Sequence, residues 1–152
     1  MHPFEHHHNG PDSMPVLALA GNPNAGKTTA FNAYTGSRQH VGNYPGITVE
    51  KKEGVAHVDG ENVRLIDLPG AYSLTAYTQE ERVARRVIGA ERPLAVMAVL
   101  NAGALERNLY LVVQLLEMGV PVAVGLNMMD EARNMGLTID SALLARHLGL
   151  PV

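Results

Sequence analysis

The sequence predicts an α/β domain with a mainly parallel sheet, one antiparallel edge strand and helices on both faces. Short apolar runs bounded by Gly, Pro and Asn alternate with longer segments of helical periodicity, the pattern of parallel strands joined by covering helices. A loop of the form GxxxxGKT separates the first such strand from the first such helix. An Asp59-Gly60 dipeptide lies between two strand-like runs and marks a hairpin, so one pair of neighbouring strands runs antiparallel.

In chain order, residues 16–20 form a buried strand, and a helix begins near Lys27. Residues 49–58 and 63–67 are the two arms of the hairpin. Residues 79–89 are a helix on which Glu81 and Arg85 are spaced for a solvent-exposed i,i+4 pair. A buried strand follows at 94–100. The helix at 106–118 carries Leu109, Val112, Val113 and Leu116 on one face. Residues 120–127 are a further buried strand behind Pro121. A last helix at 140–148 is ended by Gly149 and Pro151. Pro151-Val152 opens what reads as one more strand.

At 152 residues the chain suits one domain, and 46% hydrophobic with 18% charged residues is a globular composition. A formal net charge of −3 argues against bulk nucleic acid and against an anionic membrane surface as partners. No cysteine is present, which excludes disulfides and thiolate metal sites and suits a reducing, cytoplasmic setting. No apolar run approaches the ~20 residues of a membrane-spanning helix, so direct membrane insertion is not expected. Residues 1–14 lack apolar periodicity and read as a disordered tail or an expression remnant, with the domain running over 15–152. His2, His6, His7 and His8 read as a solvated tail, not as a metal site.

Gly21-Asn22-Pro23-Asn24-Ala25-Gly26-Lys27-Thr28 lies in the strand-to-helix context that such a loop needs to hold a nucleoside triphosphate. Backbone N–H groups at a helix N-terminus grip phosphate oxygens, and the glycines allow close approach. Lys27 supplies a cation to the β- and γ-phosphates, and the Thr28 hydroxyl is a magnesium ligand. Pro23 has no N–H, so the donors come from Asn24 onward.

Three further signals select the nucleotide and its state. Gly46-Ile47-Thr48 follows a Gly/Asn/Pro-rich stretch at 41–46 that reads as a mobile loop; Thr48 can close on magnesium and the γ-phosphate. Asp67-Leu68-Pro69-Gly70 ends an apolar strand, where Asp67 can hold magnesium through water and the Gly70 amide can bond the γ-phosphate. Asn127-Met128-Met129-Asp130 follows a buried strand, and its carboxylate can accept from both N1 and the exocyclic amine of guanine. Adenine lacks that donor pair and would strand the carboxylate, at a cost of ~1–3 kcal/mol.

These residues resemble the FeoB family of bacterial ferrous-iron transporters. The likeness covers 15–152 and rests on the phosphate loop through Thr29, on Val41-Gly-Asn-Tyr-Pro-Gly-Ile-Thr-Val-Glu50, on Asp67-Leu-Pro-Gly-Ala-Tyr-Ser-Leu74, on Leu105-Glu-Arg-Asn-Leu-Tyr-Leu111 and on Asn127-Met-Met-Asp130. The resemblance implies a Ras-like P-loop domain of the Era-like group that binds GTP and GDP with Mg2+. It implies slow hydrolysis stimulated by K+, with Asn24 as the potassium ligand and Asn24, Lys27, Thr48 and Gly70 as the catalytic set. It also implies partners in the helical and membrane domains of a longer transporter, and a place on the cytoplasmic face of the bacterial inner membrane. Ala71 stands where Ras-like GTPases carry a water-orienting glutamine, so catalysis is expected to rest on metal ions and backbone groups. Asn101 and Ala104 replace the family's usual Asp and Asn, with little effect expected on nucleotide contacts. The base-supporting loop, last strand and closing helix are expected beyond Val152, leaving a sheet edge and an apolar face uncovered. A nucleotide-sensing module with little hydrolysis, and a soluble ribosome-assembly GTPase, are the alternatives.

Overall fold

The strand β1, Val16–Gly21, is buried along its last four residues because it lies inside the sheet of the computed structural model, which describes residues 14–152. The expected tail and its histidines lie almost wholly at 1–13, outside the described residues. The elements that follow are α1 Lys27–Thr35, β2 Gln39–Asn43, β3 Glu50–Val58, β4 Glu61–Asp67, α2 Gln79–Glu91, β5 Ala95–Asn101, α3 Leu105–Glu117, β6 Val122–Asn127, α4 Met129–Asn134 and α5 Ser141–Leu148. A 3-10 turn, Ala102–Ala104, leads into α3.

The six strands lie in the order β2-β3-β4-β1-β5-β6. β4, β1, β5 and β6 are parallel, and β3 runs against both β4 and β2. The hairpin turn has Asp59 at φ 50° and Gly60 at φ 85°, the left-handed pair that a two-residue turn between twisted strands requires. The antiparallel strand is therefore the expected one, but it does not form the edge. β2 does, in part of the stretch that reads as loop in the sequence. Four of its five residues are exposed, so no alternation of burial betrays it; backbone pairing with β3 holds it.

Period-two alternation along β1 sends Ala18 and Ala20 to one face and Leu17 and Leu19 to the other. The first face packs under Ala84 and Ile88 of α2 and Leu111, Val112 and Leu115 of α3. The second packs under Phe31 of α1, with Ala56, Val63 and Leu65. Helices thus cover both faces. On α3 the buried stripe is Asn108, Leu111, Val112 and Leu115, whereas Val113 is exposed, which corrects the expected face. The apolar arc of the helix is wide, lies opposite Glu106, Arg107, Gln114 and Glu117, and includes Val113 at its margin, so periodicity alone does not fix the centre of the buried stripe.

α2 departs from expectation in a more informative way. The Thr78 hydroxyl caps it by accepting from Glu81 N. The Glu81 side chain turns inward, where it accepts from the Ser73 and Thr75 hydroxyls and from Tyr77 N at 2.9 Å. No Glu81–Arg85 pair forms among the described residues; Arg85 donates to Leu74 O. A carboxylate with three local donors is better satisfied there than in a solvent-exposed ion pair worth a few tenths of a kcal/mol (~0.3). The first turn of α2 thereby clasps the segment that follows Gly70.

At the far edge, Asp140 caps α5 through Leu143 N, and Gly149 ends it at φ 69°. Val124 N donates to Pro151 O at 2.8 Å, so the last residues begin to pair beside β6. Between α1 and the β5–β6 side an apolar groove of about 200 Å³ lies open, lined by Leu17, Tyr34, Val58, Met97 and Ala123 among others. No described helix is long and apolar enough to cross a membrane.

Candidate nucleotide site

The parallel register places the ends of β1, β4 and β6 at one edge of the sheet, where ligands of open α/β sheets bind. Between β1 and α1 the chain makes a turn closed by Ala25 N donating to Asn22 O at 3.1 Å. Pro23 takes its second position and Asn24, at φ 67°, its third; proline followed by a left-handed residue is the signature of a type II turn. Gly26, at φ 87°, precedes α1 with no side-chain cap, and the first turn of α1 carries no acidic residue. The helix N-terminus is left free to receive an anion. Asn22, Pro23, Asn24, Gly26, Lys27, Thr28 and Gly70 line a cavity of about 420 Å³ over it.

Asp67 reaches this cavity's wall from the end of β4 and forms an ion pair with Lys27, both side chains being nearly buried. Leu68 N donates to Leu19 O at 2.9 Å and Ala71 N to Gly21 O at 3.1 Å, laying the segment after Asp67 along the phosphate loop. Gly70 is pressed on Pro23: a Cβ there would come within 3.3 to 3.4 Å of the proline ring and backbone. An ammonium, a carboxylate and a hydroxyl, from Lys27, Asp67 and Thr28, stand together here, a set that would fit a phosphate group accompanied by a divalent cation. The smaller apolar groove beside α1 offers nothing comparable, being lined almost wholly by carbon.

Thr48 is exposed and does not line the cavity. It follows a turn in which Ile47 N donates to Tyr44 O across Pro45 and Gly46, the latter at φ 76°. Tyr44 tucks beneath this turn with its hydroxyl buried and unpaired among the described residues. Burial, followed by the negative charges of Glu53, Asp67 and Glu91, raises its pKa.

On the base side, Asn127 Nδ2 donates to Ala25 O at 3.1 Å. The Asn-x-x-Asp loop is thus braced against the phosphate loop across a sequence separation of 102 residues. Met128 adopts φ 58° and starts α4, whose first turn presents Asp130 to solvent. A Cβ on Gly26 would fall 2.0 Å from Asn127 Nδ2. Gly26→Ala is therefore expected to push the two loops apart and lower nucleotide affinity at least about tenfold, since a lost brace and a left-handed alanine each cost about 1 kcal/mol or more. Titration with fluorescent GDP checks this, and an unchanged affinity would dismiss the brace.

Asn108 and Asn101 are missing from the sequence reading as structural residues. The Asn108 amide is buried on α3; it accepts from Asn101 N at 3.1 Å and donates to Ala104 O at 2.9 Å. The Asn101 side chain in turn accepts from Gly103 N at 2.8 Å. Together they pin the end of β5, whose Asn101 lies opposite Asn127. A lone Asn inside an apolar helical stripe was the available signal.

The fold and the site define a P-loop G domain with the Ras-like, GTP-binding architecture. The family described as Ferrous iron transport protein B matches residues 15–152, and the chain belongs to it. It is 49% identical over 137 residues to the Fe(2+) transport protein A/Fe(2+) transporter FeoB fusion protein of Porphyromonas gingivalis, covering 90% of this chain and 16% of that protein. To the Fe(2+) transporter FeoB of Escherichia coli K12 it is 47% identical over 141 residues, 90% of this chain and 18% of the relative. The chain thus spans less than a fifth of these relatives. Among solved structures, an S. thermophilus NFeoB mutant bound to mGDP matches with a TM-score of 0.86 and 46% identity, over 92% of this chain and 54% of the other. The G domain of T. maritima FeoB matches at 0.83 and 44%, over 91% and 85%.

Proposed function

We propose that this chain is the module of a FeoB-type ferrous-iron transporter that binds GTP and hydrolyses it slowly, with Mg2+ and K+, to regulate passage of iron. The observation that carries this reading is the bond from Asn127 to Ala25, which couples a guanine-selecting loop to a phosphate-gripping one. Lys27 holds the β- and γ-phosphate oxygens once it leaves Asp67. Asp67, Thr28 and, after closure of its loop, Thr48 hold the magnesium ion. Gly70 N–H meets the γ-phosphate, and Asp130 accepts from guanine. The metal ions supply charge neutralisation at the transferring phosphoryl group. Ala71 has no side-chain group to orient water, so the chain's own part lies in gripping and positioning.

The helical and membrane parts of the longer protein are the partners in this reading, and the cytoplasmic face of the bacterial inner membrane is its place. Its test is displacement of fluorescent GDP by GTP, GDP and ATP in magnesium. Displacement by guanine nucleotides alone is expected, and equal displacement by ATP would overturn the assignment. Ala71 also favours a second reading, a sensor that barely hydrolyses GTP, and turnover in potassium against sodium separates the two. Asn24 sits in a left-handed turn and is one of the residues that line the phosphate-loop cavity. Asn24→Ala is expected to abolish the potassium stimulation while substrate turnover in sodium stays low, and a potassium response equal to that of the parent would exclude Asn24 as the ligand.

A further inference from the structure

Asn22 is 4% exposed, yet neither its side-chain oxygen nor its nitrogen has a hydrogen-bond partner among the described residues. Buried polar atoms of folded proteins are almost always paired, so an amide with no protein partner at either atom keeps its bonding capacity for another group. The surrounding backbone is already committed. Asn22 O takes Ala25 N, Gly21 O takes Ala71 N, and Pro23 has no N–H to offer. β1 and α1 are held by sheet pairing and helical bonds and cannot shift to meet the amide.

One neighbouring segment, though tied to Gly21 O through Ala71 N, is not held by sheet or helix bonds of its own. The backbone at Gly70 and Ala71 touches both residues that flank Asn22: Ala71 through its bond to Gly21, and Gly70 by its contact with Pro23. It lies between the end of β4 and the clasp made by Glu81, outside any helix or strand. Asn22 and Gly70 line the same cavity.

We propose that Asn22 is a positioning residue that reads the nucleotide's state: its amide pairs with the Gly70–Ala71 backbone when the γ-phosphate draws that segment in, and is left unpaired otherwise. The inference rests on the GTP reading above and adds to it a side chain that favours triphosphate over diphosphate. Lys27 and the helix N-terminus grip phosphates in either state, whereas the Asn22 amide gains its partner only with the third phosphate.

The test compares dissociation constants for GDP and for a non-hydrolysable GTP analogue, in magnesium, on the whole chain and on Asn22→Ala and Asn22→Ser. In Asn22→Ala the affinity for the analogue relative to GDP is expected to fall about tenfold, the worth of one buried amide bond. Asn22→Ser, which can still donate and accept, is expected to recover part of that ratio, and it carries the test if the alanine variant does not fold. An unchanged ratio would overturn the proposal, since a purely structural role or a buried water serving both states weakens both nucleotides equally. Failure of the unsubstituted chain to bind GDP would instead strike the GTP reading, and this inference with it.

Discussion

Lys27→Ala is expected to lower GTP affinity by at least about 100-fold, a loss of roughly 2.7 kcal/mol. Two effects add. The first is loss of a charge-assisted bond to the phosphates, about 1.5–3 kcal/mol by itself. The second follows from the ion pair that Lys27 makes with Asp67 at the cavity wall. Without the ammonium, the carboxylate stays in the chamber that must admit a polyanion, and only the metal ion remains to offset it. The same substitution is expected to destabilise the nucleotide-free protein by roughly 2–3 kcal/mol, somewhat below the range for breaking a fully buried pair. GDP displacement and thermal unfolding read the two effects separately. Tight GTP binding by the variant would refute the role of the loop, and an unchanged melting temperature would show that the pair contributes nothing to stability.

Asp130→Asn is expected to exchange guanine preference for xanthine preference. The carboxylate offers two acceptors to the N1 and exocyclic amine donors of guanine, whereas a carboxamide offers one acceptor and one donor. Xanthine carries an oxygen where guanine carries the amine, so it matches the carboxamide and mismatches the carboxylate. Each mispaired polar contact costs about 1–3 kcal/mol, so GDP affinity should fall about 100-fold and xanthosine diphosphate should become the tighter ligand. Asp130 is solvent-exposed in the first turn of α4, and its loop is braced through Asn127, so the fold should be untouched. Competition among GDP, xanthosine diphosphate and ADP decides the matter. A variant that keeps the parent's guanine preference would mean that Asp130 does not read the base.

Glu81 and β2 show where reading from sequence stops. Helical spacing alone turns Glu81 toward solvent, because a one-dimensional pattern does not contain the hydroxyls of Ser73 and Thr75 or the amide of Tyr77 that fold back to meet it. β2 carries no alternating burial, and its identity as a strand lies in the exposed edge that β3 presents. The orphaned amide of Asn22 is a third instance. Its residue type suited the loop in sequence, but its isolation exists only in three dimensions.

The amino-acid sequence by itself determined the alternation of strands and helices, the hairpin at Asp59-Gly60, the strand-to-helix loop at 21–28, the position of Asp67 at a strand end and the loop that follows β6 at Asn127. These depend on local chemistry: φ restrictions, helix starts, and residue types set at fixed spacing. Tertiary structure alone decided which side of α3 is buried, that Lys27 and Asp67 neutralise each other, and that Asn127 braces Ala25. Each of those joins residues distant in the chain. Long-range packing selects among arrangements that the local pattern leaves equal, and the energy of a buried polar group depends on the partners that packing brings.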